Sequence, residues 1–481
     1  MTGLFGCVSF VPRVPSRGGG VWQRLEGAHF VVLTNQGDED ALETLHELER
    51  FLASFTQFGW TAYTEHQHKV TAVVFENDVE LHAFLPHRYG GMFTAHAPYA
   101  PLIVAYNGEG GFRGESIKHE LAHYLASLST PRQPAWFSEG LACYFETATT
   151  NIDNDEVSIG RPHEGLASVI GQEGILRASD LLAPQRDSHG RNFYPSAWLL
   201  MHYLMSQHQE SLVAFHARLI EGDEASVAWA SAFPALTPAA LDIELEAYAR
   251  RGRYQYAVRD IPLEERTPPL RSLLSDADVL AIRALLFALN PFDRRDPAKA
   301  RTLALRDLDA SSALDPLNAL GVVVRMQIDI APPDEAVEVA TRLTQAHAEE
   351  WTAWMLLLDS LHRAQVDNAR LDAAATEAIR HHPNNRSLLV VAVSSALEGG
   401  DVQRALDIAR HAKKLHGGDS DVLLRYALAL FAVGACDTAR SAGQRALLRM
   451  PLAPTTEQYA LNILGNADTA CRRRTSSATT P

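Results

Sequence analysis

His119-Glu120-Leu121-Ala122-His123, followed after a Pro-containing turn by Trp136-Phe137-Ser138-Glu139-Gly140-Leu141-Ala142, is the part of this 481-residue chain from which the rest can be read. Ile117, Leu121, Leu125 and Leu128 recur at helical spacing, so Glu115 to Leu128 is expected to form an amphipathic helix, and Trp136 to Glu146 a second one. Side chains four apart on a helix project from one face a turn apart, so both imidazoles can reach a single cation. Sixteen residues separate His123 from Glu139, enough for the first helix to end, turn at Pro131 and Pro134, and present the Glu139 carboxylate across the metal. Two neutral nitrogens and one carboxylate suit Zn2+ and leave a fourth position open for water. Glu120 points off that axis, beside the open position. There it can take a proton from water whose pKa the cation lowers toward about 7, and pass it to a departing amine. The chemistry implied is hydrolysis; the competing reading is an ordinary helix with solvated histidines.

Outward from this segment, residues 1–24 read as a flexible leader rich in Pro, Arg and Gly. His29 to Thr34, Val70 to Phe75 and Pro101 to Tyr106 carry strand signals, and Asp38 to Phe58 and Val79 to Leu85 helical ones. Residues 147–194 read as loops with short helices bordering a cleft. Ser196 to Leu219 reads as one helix, and Tyr254 to Val258 as a strand rejoining the sheet. Gly108, Gly110, Gly111 and Gly114 lack the residues of a phosphate loop and read as a turn. Pro262, Pro268 and Pro269 mark a boundary, so residues 25–262 form a first domain.

Beyond it, a shift of 34 places Pro383 on Gly417 and Pro451, Ala405 on Ala439, and Ala412 on Ala446, with two looser copies, from Ala304 with Pro316 and from Ala336 with Ala340, and an intervening copy that keeps Ala378 but has Leu371 at its first small position. This resembles the tetratricopeptide repeat over residues 270–455; an irregular alanine-rich bundle is the plainer alternative. Residues 456–481 read as a fading repeat with a disordered tail, and His381 and His382 as a solvated helix end.

The first domain resembles the gluzincin metallopeptidases, in particular the peptidase MA-like family, in which His-Glu-x-x-His is paired with a Trp-x-x-Glu-Gly-Leu-Ala helix. The likeness covers roughly residues 25 to 260, including Gly160-Arg161-Pro162. It implies an α+β fold, a zincin-like catalytic domain with a small mixed sheet and active-site helices, followed by an all-α tetratricopeptide-like solenoid. It implies His119, His123 and Glu139 as zinc ligands and Glu120 as general base. It also implies an acid steadying a ligand histidine, for which Glu146 stands seven residues after Glu139. The oxyanion donor is Tyr194 or His202, with Tyr194 preferred. A peptide or protein is the implied substrate, and the repeats would bind a protein partner or the substrate. The reading from another class is a catalytically silent repeat scaffold with a structural or vestigial metal site.

Lys and Arg number 43 against 58 Asp and Glu, a net charge of −15 that repels phosphate backbones and argues against nucleic acid. No apolar run is long enough for a transmembrane segment. Cys7, Cys143, Cys436 and Cys471 lie far apart, suggest no structural disulfide, and leave Cys143 as a small buried thiol. As written the chain reads as cytoplasmic. Leu4-Phe5-Gly6-Cys7 is similar to the end of a bacterial lipoprotein cleavage box, which keeps open an exported lipoprotein anchored at Cys7 with its start upstream.

Overall fold

The computed structural model describes residues 11–60, 68–87, 89–94, 97–108, 115–151, 156–162, 164–183, 191–261, 268–289, 296–329, 331–450 and 454–477. Cys7, Gly110, Gly111, Gly114 and Pro451 lie outside them. The first part alternates strand and helix: β1 (Gln23–Glu26), β2 (Phe30–Thr34), α1 (Asp38–Gln57), β3 (Val70–Phe75), α2 (Asp78–Leu81), β4 (Gly91–Thr94), β5 (Leu102–Tyr106), α3 (Glu115–Ser129) and α4 (Ala135–Glu146). Then come β6 (Thr149–Asn151), β7 (Glu156–Ile159), α5 (Glu164–Glu173), α6 (Ala178–Leu181), α7 (Phe193–Gln207), α8 (Gln209–Glu221), α9 (Ala225–Ala232), α10 (Pro238–Arg251), β8 (Ala257–Asp260) and β9 (Leu270–Leu273).

One sheet has the order β4-β5-β3-β2-β1-β9, with β2, β3 and β5 parallel at its centre and antiparallel strands at both edges. Central parallel strands are covered on both faces, which is why β2, β3 and β5 read as nearly unbroken apolar runs. Alternation then divides their side chains. Phe30, Val32, Ala72, Val74, Ile103 and Ala105 join the core containing α1, α3, α4 and α7, whereas Val31, Leu33, Val73, Phe75 and Val104 face the other side.

That second face is covered by residues expected to lie outside the domain. Val14 and Trp22 of the expected leader are buried, Trp22 edge-on to Phe75. α11 (Asp276–Leu289) contributes Val279, Ile282, Leu285 and Phe287 to the same core. β9, eight residues after Pro262, completes the sheet beside β1. Packing therefore continues through the expected boundary, because β1 would otherwise leave an unpaired sheet edge, which β9 covers. The Tyr254–Val258 expectation also shifts: β8 pairs with β7 in a separate three-stranded sheet, and the 147–194 stretch supplies its other strands. The long helix expected from Ser196 is broken at His208 into α7 and α8.

The remainder is helical: α12 (Pro297–Leu314), α13 (Ala319–Ile328), α14 (Pro333–Ala346), α15 (Trp351–Arg363), α16 (Asn368–His381), α17 (Arg386–Glu398), α18 (Val402–His416), α19 (Ser420–Ala432), α20 (Cys436–Leu448) and α21 (Pro454–Ser477). The small residues that recur at 34 are buried where neighbouring helices meet: Ala378, Ala405, Ala412, Ala439 and Ala446. A second recurrence links successive helix pairs. Nε2 of His347, His382 and His416 bonds the carbonyls of Leu317, Ala348 and Asn384, at 2.9, 3.0 and 2.9 Å. His381 stacks on Trp354, so neither histidine before Pro383 is simply solvated. Cys436 and Cys471 form a disulfide between α20 and α21, correcting the expectation of none. The helix continues to Ser477, where disorder was expected from Arg472. Among the described residues no helix is long and apolar enough to cross a membrane.

The helical run leans on the first part at several points. Tyr99 donates to Asp359 (2.8 Å), and His68 stacks on Trp351 and bonds Ser387. The turn between α3 and α4 is held most directly. Arg132 donates to the carbonyls of Met450 and Leu447 at the end of α20 and to Glu457 of α21, while Arg449 donates to the Ser129 carbonyl. Hydrogen bonds to charged groups contribute about 1.5–3 kcal/mol each, net of the exchange with water. Arg132→Ala should therefore lower unfolding free energy by about 2 kcal/mol in urea titration and speed hydrogen exchange in α20 and α21. Unchanged exchange there would show that other contacts hold these helices.

Candidate functional site

α3 and α4 pack with α7 in the core on the first face of the sheet. Gly140 sets one approach: a Cβ there would lie 2.6 Å from the Ala197 carbonyl oxygen and 3.0 Å from Met201 Cβ, so only glycine lets α4 meet α7 this closely. Thr130 and His216 bond at 2.8 Å, and the His216 ring stacks on Phe137, fixing the α3–α4 turn from α8.

This framework brings the residues singled out in the sequence together. Nε2 of His119 and Nε2 of His123 are 3.1 Å apart, and Glu139 Oε2 lies 3.3 and 3.4 Å from them. These three groups could hold a metal ion. A tetrahedral cation with bonds of about 2.0–2.1 Å needs its ligand atoms about 3.3–3.4 Å apart, close to the triangle observed. Glu139 Oε2 is buried and accepts no hydrogen bond, the state expected of an oxygen directed at a cation.

The outward nitrogens are also accounted for. Nδ1–H of His119 donates to Glu146 Oε2 at 2.7 Å, and Nδ1 of His123 pairs with Ser138 Oγ at 3.0 Å. With Nδ1 engaged, Nε2 of each ring is left to face the triangle. Glu146 thus stands behind the His119 ring, on the side away from the triangle. Ser138 was missed; its position immediately before Glu139 on the same helix was the available signal.

The electrostatics favour positive charge at this spot. Burial lowers the His119 pKa, but the neighbouring Cys143, Glu139 and Glu146 outweigh it and push the imidazole up to about 12. Burial raises Glu139, yet the two imidazoles beside it bring the carboxyl down to about 2. Burial pushes the Cys143 thiol up to about 11 although His119 pulls the other way, so Cys143 stays a thiol at neutral pH. His119, Cys143 and Glu146 form a second group of ligand-type atoms sharing the same ring.

Glu120 is exposed. Tyr194, at the start of α7, is 39% exposed; its phenol is raised by burial, then by the Glu139 charge, with smaller influences from His119, Cys143 and Glu120. Tyr194 therefore lies in the field of the cluster. His202 does not serve the same place: it is fully buried, its two ring nitrogens bonded to Tyr248 Oη (2.8 Å) and the Gly160 carbonyl (3.0 Å). Gly160 adopts φ +75°, and a Cβ would enter the Tyr144 ring, so this turn too requires glycine.

No protein-family model matches the chain, and no curated protein matches it.

Removing the partner of an outward imidazole nitrogen typically weakens metal binding 10- to 100-fold, that is by roughly 1.4–2.7 kcal/mol. Glu146→Gln should fold normally and bind an added divalent cation that much more weakly in chelator competition, and His123→Ala more weakly still. Wild-type affinity in Glu146→Gln would show that this carboxylate does not orient His119.

Proposed function

We propose that this protein is a zinc-dependent metallopeptidase with a gluzincin-like catalytic domain followed by a tetratricopeptide-like solenoid. The observation that carries the reading is the triangle of His119 Nε2, His123 Nε2 and Glu139 Oε2, 3.1–3.4 Å on its sides, with the exposed Glu120 next to its first corner. Two imidazoles and a carboxylate favour zinc over the hard cations, which prefer an all-oxygen shell. When bound, zinc would act as a Lewis acid, lowering the pKa of water toward about 7 and polarising a peptide carbonyl.

The chain's own residues do the rest. His119, His123 and Glu139 would hold the ion, while Glu146 accepts from Nδ1–H of His119 and Ser138 Oγ engages Nδ1 of His123, so that Nε2 of each ring faces the triangle. Glu120 accepts the proton of the attacking water and delivers it to the leaving amine. Solvent contact suits that task, since the carboxylate must exchange protons in every cycle. Tyr194 donates its phenolic proton in a hydrogen bond to the oxygen on which negative charge develops. The repeats are read as a surface for a protein partner or for the substrate. Their nearness to α3 supports this, since the charges of Arg386 and Asp419 reach Tyr124, next to His123.

A general base contributes about 10²–10⁴-fold. Glu120→Gln should keep its zinc but cleave a mixture of denatured proteins at least about 100-fold more slowly than wild type, and equal cleavage by both ends the peptidase reading. Loss of a transition-state donor lowers kcat at unchanged KM. Tyr194→Phe should show that pattern, and a rise in KM alone would assign Tyr194 to substrate binding.

A further inference from the structure

On the face of the sheet opposite the His119 cluster, a cavity of about 790 Å³ opens between the 11–17 segment, α11 and α12. This volume lies in the range of small-molecule sites. Its charged lining is Arg13, Arg17, Arg283 and Arg306 against Asp276 and Asp307, an excess of two positive charges on a chain whose net charge is −15.

The two acids are already committed. Asp307 is buried and uses both oxygens on arginine: Oδ2 accepts from Arg283 (2.9 Å from Nε), and Oδ1 from Arg306 (3.2 and 3.0 Å). Asp276 accepts from the Ser16 amide (3.2 Å) and its hydroxyl. Among the described residues Arg17 forms no ion pair, and residues 1–10 carry no carboxylate that could supply one. Arg283 also donates to the Pro12 carbonyl (2.8 Å), which ties the 11–17 segment to α11 and brings Arg17 into the cavity wall.

Three guanidinium groups from three separate elements therefore line one cavity with two carboxylates, and one of these, Asp307, serves two of the three. Burial, and more weakly the charges of Arg306 and Arg17, act to lower the Arg283 pKa, against the pull of Asp307. Like charges held together at this cost are relieved by an anion. A tetrahedral oxyanion, with oxygens pointing in several directions, can meet forks arriving from three elements. A planar carboxylate offers both oxygens in one plane and suits one fork. Leu280 and Leu314 line the same cavity, Leu314 being 61% exposed, and provide an apolar wall for an organic body.

We propose that this cavity binds a phosphorylated small molecule, its phosphoryl oxygens met by Arg17, Arg283 and Arg306 and its organic part by Leu280 and Leu314. The site is separate from the proposed metal centre and does not depend on that reading.

The test is calorimetric titration of the full chain at low ionic strength with phenyl phosphate, inorganic phosphate and benzoate, repeated on the Arg17→Gln, Arg306→Gln double variant. Both arginines are exposed, and Arg283, which holds the 11–17 segment, is left in place. Phenyl phosphate should bind with Kd below about 1 mM, inorganic phosphate and benzoate each at least about tenfold more weakly, and the double variant should lose at least about tenfold in phenyl phosphate affinity. Absence of saturable phenyl phosphate binding at about 10 mM, or undiminished binding by the double variant, overturns the proposal. Benzoate binding as tightly overturns the phosphoryl assignment, and inorganic phosphate binding as tightly overturns the organic part.

Discussion

Two imidazole nitrogens and a carboxylate oxygen point at one another within 3.4 Å, and everything around them serves to keep them there. Electron-rich atoms do not gather in water unless a cation or proton joins them. The arrangement has to be imposed by the fold, and three features impose it. Gly140 lets α4 approach α7, Phe137 and Phe145 fill the core beneath, and Glu146 and Ser138 fix the rings from outside. The polar atoms are positioned by apolar packing, which is stiff because interiors are close-packed.

The helical run extends this logic. Arg132 and Arg449 donate across the same junction in opposite directions, each into main-chain carbonyls of the other's segment. The carbonyls of Leu447 and Met450 belong to the end of α20, where the helix leaves unpaired acceptors and partial negative charge, so a guanidinium is well matched there. The disulfide between Cys436 and Cys471 ties α20 to α21 beside this junction. The C-terminal helices are thus coupled to the turn joining the two helices that carry His119, His123 and Glu139.

What could be read in advance follows from which interactions are local. His119 to His123 and Glu139 to Glu146 lie within single helices, where 3.6 residues per turn fix direction, so the shared face of each pair could be read from spacing, while the part given to Glu146 came from the family resemblance. The central strands were legible because burial on both faces writes unbroken apolar runs. The leader, β9 and α11 were misplaced because their partners lie across long stretches of chain: Trp22 meets Phe75, and β1 meets β9 nearly 250 residues later. The disulfide was missed for a related reason, since its cysteines are 35 residues apart in sequence and are joined only because consecutive helices pack side by side. The histidines at 347, 382 and 416 were in plain view at nearly the repeat length, but their carbonyl partners carry no side-chain signature.

Exposure distinguishes the acids and histidines of the first part more sharply than sequence does. Glu146 is buried with its charge spent on His119, and Glu139 is largely enclosed with one oxygen left for the triangle. Glu120 alone of the three faces solvent. A site that only braced the fold would be satisfied by the first two, since an exposed carboxylate adds little stability. His202 runs the other way: it is the more buried histidine, yet both its nitrogens are consumed by Tyr248 and Gly160, so burial gives it a structural part in holding the Gly160 turn. Tyr194, partly exposed and within reach of the Glu139 and Glu120 charges, keeps its phenolic proton at neutral pH. On the hydrolytic reading, the groups that must change partners during a cycle are the accessible ones, and the groups that must stay still are enclosed.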